Sequence, residues 1–301
     1  MNVPSERLNL RAGALAILAQ ALWGGNSVAI KIALAGVPPI ALAGIRFFLG
    51  GLFVLLWAVL NRIPIPMRAG ERGGLFLLVL LFFAQIFLLN QGTHLTLASR
   101  STIMVTVYPF FTSLFAHLFI PGDRLSRLKG IGMALSFSGV VLIFAETLSL
   151  RDFSYIPGDL MVFGSGILLG ARQVYTKRLI QGIHPYRLLV WQSGLSLPMF
   201  ALFSGLFEGQ TAYRFSPDIV GAILYQGLVV AGFCFIVFYS LLRRYSASHL
   251  GVFGFVTPVF GVLLSDLLLH ERLSPAILAS MLLVGVGIAI ANWEGREQAA
   301  T

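Results

Sequence analysis

Charge is scarce in this 301-residue sequence: Asp, Glu, Lys and Arg make up 11% of it, where a soluble domain carries about 25%. Hydrophobic residues reach 57% and the mean hydropathy is +0.87. So few charges cannot cover a water-facing surface, and the chain reads as an integral membrane protein. Cysteine is nearly absent, and the single Cys234 excludes an intramolecular disulfide framework. Acidic residues are few, and none sits near the centre of an apolar run; Glu146, Asp159, Asp218 and Asp266 fall near run ends. A carboxylate proton relay through the bilayer therefore has no candidate.

Motif absences narrow the function further. Gly-x4-Gly-Lys-Ser/Thr does not occur, so ATP hydrolysis has no support. His270-Glu271 is followed by Arg-Leu-Ser rather than by the second histidine of a zinc protease. Gly-x-Ser-Gly and Asp-x3-Asp are missing as well. Nothing here points to an enzyme, a cofactor or a metal. The net charge of +9 lies in short clusters between apolar runs, not along one face, which argues against a nucleic-acid partner. The partners implied are a small-molecule substrate and the lipid bilayer; no obligate protein partner is evident.

Ten apolar runs are long enough to cross a bilayer, which takes about 20 residues. They are predicted at 11–31, 39–60, 73–93, 100–120, 129–147, 157–178, 185–206, 218–242, 248–269 and 275–293. The runs are unbroken rather than alternating, so they read as helices. With the N-terminus in the cytoplasm, fourteen of the 21 Lys and Arg residues fall on inner segments and five on outer ones, leaving Arg46 and Arg172 within spans. The positive-inside rule then places both termini in the cytoplasm.

One phrase occurs twice. GDRLSR starts at Gly122 and HERLSP at His270, each after a span carrying a proline, Pro109 and Pro258. A small-residue span follows each phrase, and Gly139 and Gly287 correspond within it. The front halves also align: Trp23 to Lys31 with a segment ending at Lys177, and Pro39 with Pro185. Five spans repeated once must insert upside down relative to each other, because five is odd. The predicted fold is all-α, with ten transmembrane helices as two inverted-topology five-helix repeats over 1–150 and 151–301.

The repeated Asp/Glu-Arg-Leu-Ser phrase reads as a helix junction, its Ser capping the next span. The alternative makes Asp123 and Glu271 gating charges, but charge is cheap at an interface. Pro109 and Pro258 each remove a backbone hydrogen bond, as a hinge or as a static kink. Intramembrane polar groups are costly and are functional candidates by default. Trp23, Asn26 and Arg46 in the first two spans, with Arg172 and Gln192 as repeat mates, form two stations flanking the midplane. Gln85, Asn90, Tyr108, Gln173, Tyr175, Gln226 and Tyr239 add hydrogen bonds and aromatic faces. Packing roles stand beside these: Arg46 against helix ends or Glu146, Arg172 snorkelling to the interface, Trp23 and Tyr175 as filler.

Taken together, Trp23 to Lys31, Arg46-Phe47, Ala98 to Pro109, Asp123 to Ser126, Gly139, Pro258, Glu271 to Ser274 and Gly287 resemble the EamA-like branch of the drug/metabolite transporter superfamily. The chain departs from that pattern in Asp123, where the family usually shows Glu, in His270 before Glu271, and in Arg172-Gln173. The resemblance covers nearly the whole chain. It implies a central cavity lined mainly by the first four helices of each half. It also implies export of amino acids or similar small metabolites across a bacterial-type inner membrane, without catalysis. A lipophilic drug or cation exporter is the alternative within transport, and an intramembrane enzyme lies outside it.

Overall fold

The computed structural model describes residues 9–120, 127–150, 153–209, 211–245, 250 and 252–291. Among them every regular element is helical. The helices are α1 (Leu10–Gly24), α2 (Asn26–Ala33), α3 (Pro39–Leu60), α4 (Arg72–Leu95), α5 (Ala98–Val105), α6 (Tyr108–Phe119), α7 (Arg127–Leu150), α8 (Ile156–Leu179), α9 (Pro185–Glu208), α10 (Pro217–Leu224), α11 (Phe235–Arg244), α12 (Val256–Leu269) and α13 (Pro275–Ala291). A ten-residue π-helix, Tyr225–Cys234, joins α10 to α11.

Local sequence explains the starts. Pro39, Pro185, Pro217 and Pro275 each open a helix, where the missing N–H costs nothing. Asn9 caps α1 by accepting from the Ala12 N–H at 2.8 Å, and Ser274 caps α13 by accepting from the Ile277 N–H at 3.1 Å. The two proline-bearing spans do not carry a kink in mid-helix as expected. Pro109 sits in the first turn of α6, after a break at Thr106–Val107. Pro258 lies in the first turn of α12, after a short 3-10 turn, Val252–Phe255. A pyrrolidine ring clashes with the carbonyl four residues back, and both helices avoid the clash by restarting.

Seven helical segments are long and apolar enough to cross a membrane: Leu10–Ala33, Pro39–Leu60, Arg72–Leu95, Ala98–Phe119, Phe153–Leu179, Pro185–Glu208 and Pro217–Arg244. Three shorter apolar helices accompany them: Gly130–Ile143, Val256–Leu269 and Pro275–Ile290. Large apolar side chains such as Phe48, Leu56, Phe76, Leu206, Leu267 and Leu282 point outward. Buried polar groups, Gln20, Arg46, Gln85, Arg172 and Gln226 among them, point inward. That distribution suits lipid outside and a polar interior.

Packing repeats between the two halves. Helix α4 lies along α8, as α1 lies against the π-helix and α11; α3 packs on α9; α6 packs on α8, as α12 does on α1; and α7 lies along α13. The α7–α13 seam is reciprocal. A Cβ on Gly139 would meet the Ser280 carbonyl at 2.8 Å, and one on Gly287 would meet the Gly132 carbonyl at 2.5 Å. Both positions need glycine because two backbones touch there.

At the second corner, Glu271 reaches across to the start of α5. Its carboxylate accepts from the Ala98 and Ser99 N–H groups at 2.7 and 3.0 Å and from Ser99 Oγ at 2.7 Å. It caps a neighbouring helix. Asp123 and Ser126 lie outside the described residues.

Candidate functional site

The helices enclose a central cavity of about 100 Å³. Its walls come from α1 to α6, α8, the π-helix, α11 and α12. Eight of the side chains expected to meet substrate line it: Trp23, Asn26, Arg46, Gln85, Tyr108, Arg172, Gln173 and Tyr239. Members of both expected stations, Asn26 and Arg46 from one and Arg172 from the other, thus line one cavity.

The arginines dominate it. Arg46 on α3 is 2% exposed and Arg172 on α8 is 5% exposed. Arg46 Nη1 donates to Asn26 Oδ1 at 3.1 Å, and its guanidinium lies 4.4 Å from the centre of the Phe47 ring. Arg172 lies 5.0 Å from Phe82 and 5.8 Å from Phe235. Phe47 meets Phe82 edge to face at 4.5 Å and Phe235 at 6.2 Å. Both guanidinium groups therefore sit against one aromatic cluster. The rings lie against the guanidinium groups. The edges are left over: Arg46 Nε and Arg172 Nε and Nη1 donate to no protein atom.

No aspartate or glutamate among the described residues lines the cavity. Among the described residues, the ion pairs join Arg100 with Asp159 and Glu146, and Arg187 with Glu71. Arg46 is not paired with Glu146. Two buried guanidinium groups with unfilled N–H edges thus line one cavity. Trp23 packs edge to face against Phe235 and Phe238 at 5.8 and 5.2 Å and supplies an apolar wall.

Four candidates do not line the cavity. Gln192 stands behind it, its Oε1 accepting from Tyr239 OH at 3.0 Å, so it aims the tyrosine. Gln226 donates to the Ala29 carbonyl at 3.0 Å and ties the π-helix to α2. Asn90 donates to the Pro39 carbonyl at 2.9 Å and ties α4 to the start of α3. Tyr175 donates to the Gly74 carbonyl at 3.2 Å, away from the cavity.

Sequence reasoning passed over Gln20, Ser27, Thr102, Thr106, Thr176 and Thr257, all of which line the cavity. Gln20 was findable: it lies three residues before Trp23, on the same helix face. It donates to Tyr108 OH at 3.3 Å and accepts from Thr257 Oγ1 at 2.7 Å. The threonines carry little signal, since a hydroxyl can turn back onto its own helix. Thr102 and Thr106 do so, donating to the Ala98 and Thr102 carbonyls at 2.9 and 2.6 Å.

The model of the EamA-like transporter family matches residues 10–145 and again 156–293. The chain belongs to the EamA-like transporter family. An uncharacterized transporter of Bacillus subtilis, YoaV, is 24% identical over 89% of this chain and 91% of its own length. A probable amino-acid metabolite efflux pump of Salmonella typhimurium is 25% identical over 94% of this chain and 95% of its own. A crystal structure of a protein 20% identical in sequence covers 97% of this chain and 99% of its own, with a TM-score of 0.73, and shows the same fold. This EamA-like protein is thus a multi-pass transporter of the cell membrane carrying two copies of the family unit.

Proposed function

We propose that this protein is a secondary exporter of amino acids or similar small metabolites that carry a carboxylate. The observation that carries the reading is the pair Arg46 and Arg172, buried in one cavity with N–H edges unfilled and no acidic residue in the wall among the described residues. A carboxylate supplies the acceptors those edges lack, and Trp23, Phe235 and Phe238 receive the rest of the molecule. The relative named a probable amino-acid metabolite efflux pump agrees with this cargo class.

The mechanism proposed is alternating access by two inverted five-helix units, 1–150 and 151–301, in a ten-helix protein with cytoplasmic termini. The repeated packing, the reciprocal Gly139 and Gly287 contacts and the distribution of Lys and Arg support it. Asn26, Tyr108, Gln173 and Tyr239, together with Gln85, orient the cargo; Gln192 and Gln226 hold the wall. The restarts at Pro109 and Pro258 are the joints about which the cavity changes face.

The test is counterflow in proteoliposomes loaded with unlabelled carboxylates and challenged with labelled amino acids and amino-acid-derived acids. Exchange without an imposed ion gradient is expected, and Arg46→Ala should abolish it while the protein stays folded. Folded wild-type protein that exchanges no member of the panel would refute the reading.

A further inference from the structure

We infer that the cargo is carried as a net anion: its amino group is absent, acylated, or outweighed by a second acidic group. This rests on the carboxylate-export reading above and narrows it. A free amino acid brings an ammonium group as well as a carboxylate, and the two groups are only one carbon apart. Whichever arginine takes the carboxylate, the ammonium is held in a space that Arg46 and Arg172 both face.

Among the described residues, no carboxylate in the wall compensates. The buried lining acceptors without a hydrogen bond are Gln85 Oε1 and Thr176 Oγ1, both uncharged. Asn26 Oδ1 already accepts from Arg46, and Gln173 Oε1 accepts from Thr112 at 3.2 Å. Of the lining rings, Phe235 already faces the Arg172 guanidinium. An added like charge in this low-dielectric space is repelled by both arginines. An anion, by contrast, meets three unfilled arginine donors, Arg46 Nε and Arg172 Nε and Nη1.

The experiment holds the side chain constant and varies the charge. Wild-type protein in proteoliposomes at neutral pH is assayed by counterflow with valine, its 2-oxo acid, its N-acetyl derivative and isobutylamine, and with the corresponding phenylalanine set. In each set the 2-oxo or N-acetyl anion should exchange with a kcat/KM at least about tenfold above the zwitterion, and the amine should not exchange. Arg172→Gln should cut anion exchange by at least about tenfold and narrow its lead over the zwitterion, while Arg172→Lys restores much of the lead. A zwitterion that exchanges as well as its anions overturns this inference and leaves the carboxylate-exporter reading standing. Failure of every probe with folded protein overturns both. Arg172→Gln that lowers all probes equally assigns Arg172 to packing and removes the two-arginine basis of the inference.

Discussion

Lys31 and Lys177 do the same work 146 positions apart. Lys31 Nζ donates to the carbonyls of Thr93, His94 and Thr96, at the C-terminal end of α4, at 3.1, 3.1 and 2.5 Å. Lys177 Nζ donates to those of Leu242 and Tyr245, at the end of α11, at 2.6 and 3.2 Å. A helix leaves its last carbonyls without intrahelical partners and carries partial negative charge there, so an ammonium group answers both needs. In the proposed topology the two clasps lie at opposite membrane faces, one closing each repeat's first helix onto its partner.

Equal roles predict equal losses. Lys31→Met and Lys177→Met should each lower stability by about 1.5–3 kcal/mol, the range for a hydrogen bond to a charged group. Unfolding in detergent, followed by helical signal, measures both. A loss confined to one variant would break the equivalence of the two clasps.

The corner at His270 offers a second prediction. His270 has φ of +52°, and its N–H bonds the Asp266 carbonyl at 3.0 Å, closing α12 in the left-handed conformation. Glycine takes that conformation without strain, and glycine stands at the matching position of the first phrase, Gly122. His270→Gly should be neutral or stabilise by up to about 1 kcal/mol, and His270→Val should destabilise. Glu271→Ala, which strips the caps from Ala98 and Ser99, should cost about 1–2 kcal/mol. Thermal unfolding of the three variants ranks them, and a His270→Gly protein less stable than His270→Val would contradict the backbone argument.

Sequence carried the repeat, the helices and the arginines because each leaves a trace in composition or spacing. Arg46 and Arg172 stand out because charge inside a span is expensive. What stayed hidden depends on which neighbour a side chain faces. Asn90, Gln192 and Gln226 share the polarity of the lining residues, yet each serves a neighbouring helix or the tyrosine in front of it. Glu208 was equally silent: it ends α9 and accepts from the Ile40 and Ala41 N–H groups at 2.8 and 2.9 Å, a cap supplied across 167 positions or more. The helix breaks at Gly25 and Thr106 were likewise concealed, since long apolar runs do not mark where a helix restarts.

Acid should weaken the junction between α8 and α9. His184 caps α9, its Nδ1 accepting from the Tyr186 N–H at 3.4 Å. Burial first, then the charges of Arg243 and Arg187, lowers its pKa below the usual 6.5. The unfolded chain therefore binds a proton there before the folded one does. This contribution is complete above pH about 6.5 and is lost as pH falls through that value towards the folded pKa. Unfolding midpoints at pH 7.5 and 5 should differ more for wild type than for His184→Asn, which keeps a cap acceptor but does not titrate. Equal pH dependence in the two proteins would exclude His184 as its source.

The strongest single-residue effect is expected at Asp159. Its carboxylate is fully buried, pairs with Arg100, and accepts from Thr96 Oγ1 at 2.6 Å. Arg100 also lies 4.0 Å from the partly exposed Glu146, so the three charges form one cluster where α5, α7 and α8 meet. Removing one partner strands the other's charge in a medium that cannot solvate it, at a cost of about 3–5 kcal/mol. Asp159→Asn should therefore unfold far more readily than wild type. Arg100→Met combined with Asp159→Leu should recover most of the loss, because an apolar pair needs no solvation. If the double variant is as unstable as Asp159→Asn, the pair contributes specific hydrogen bonding that apolar packing cannot replace. Glu146, left without Arg100 in that variant, is then the group to neutralise next.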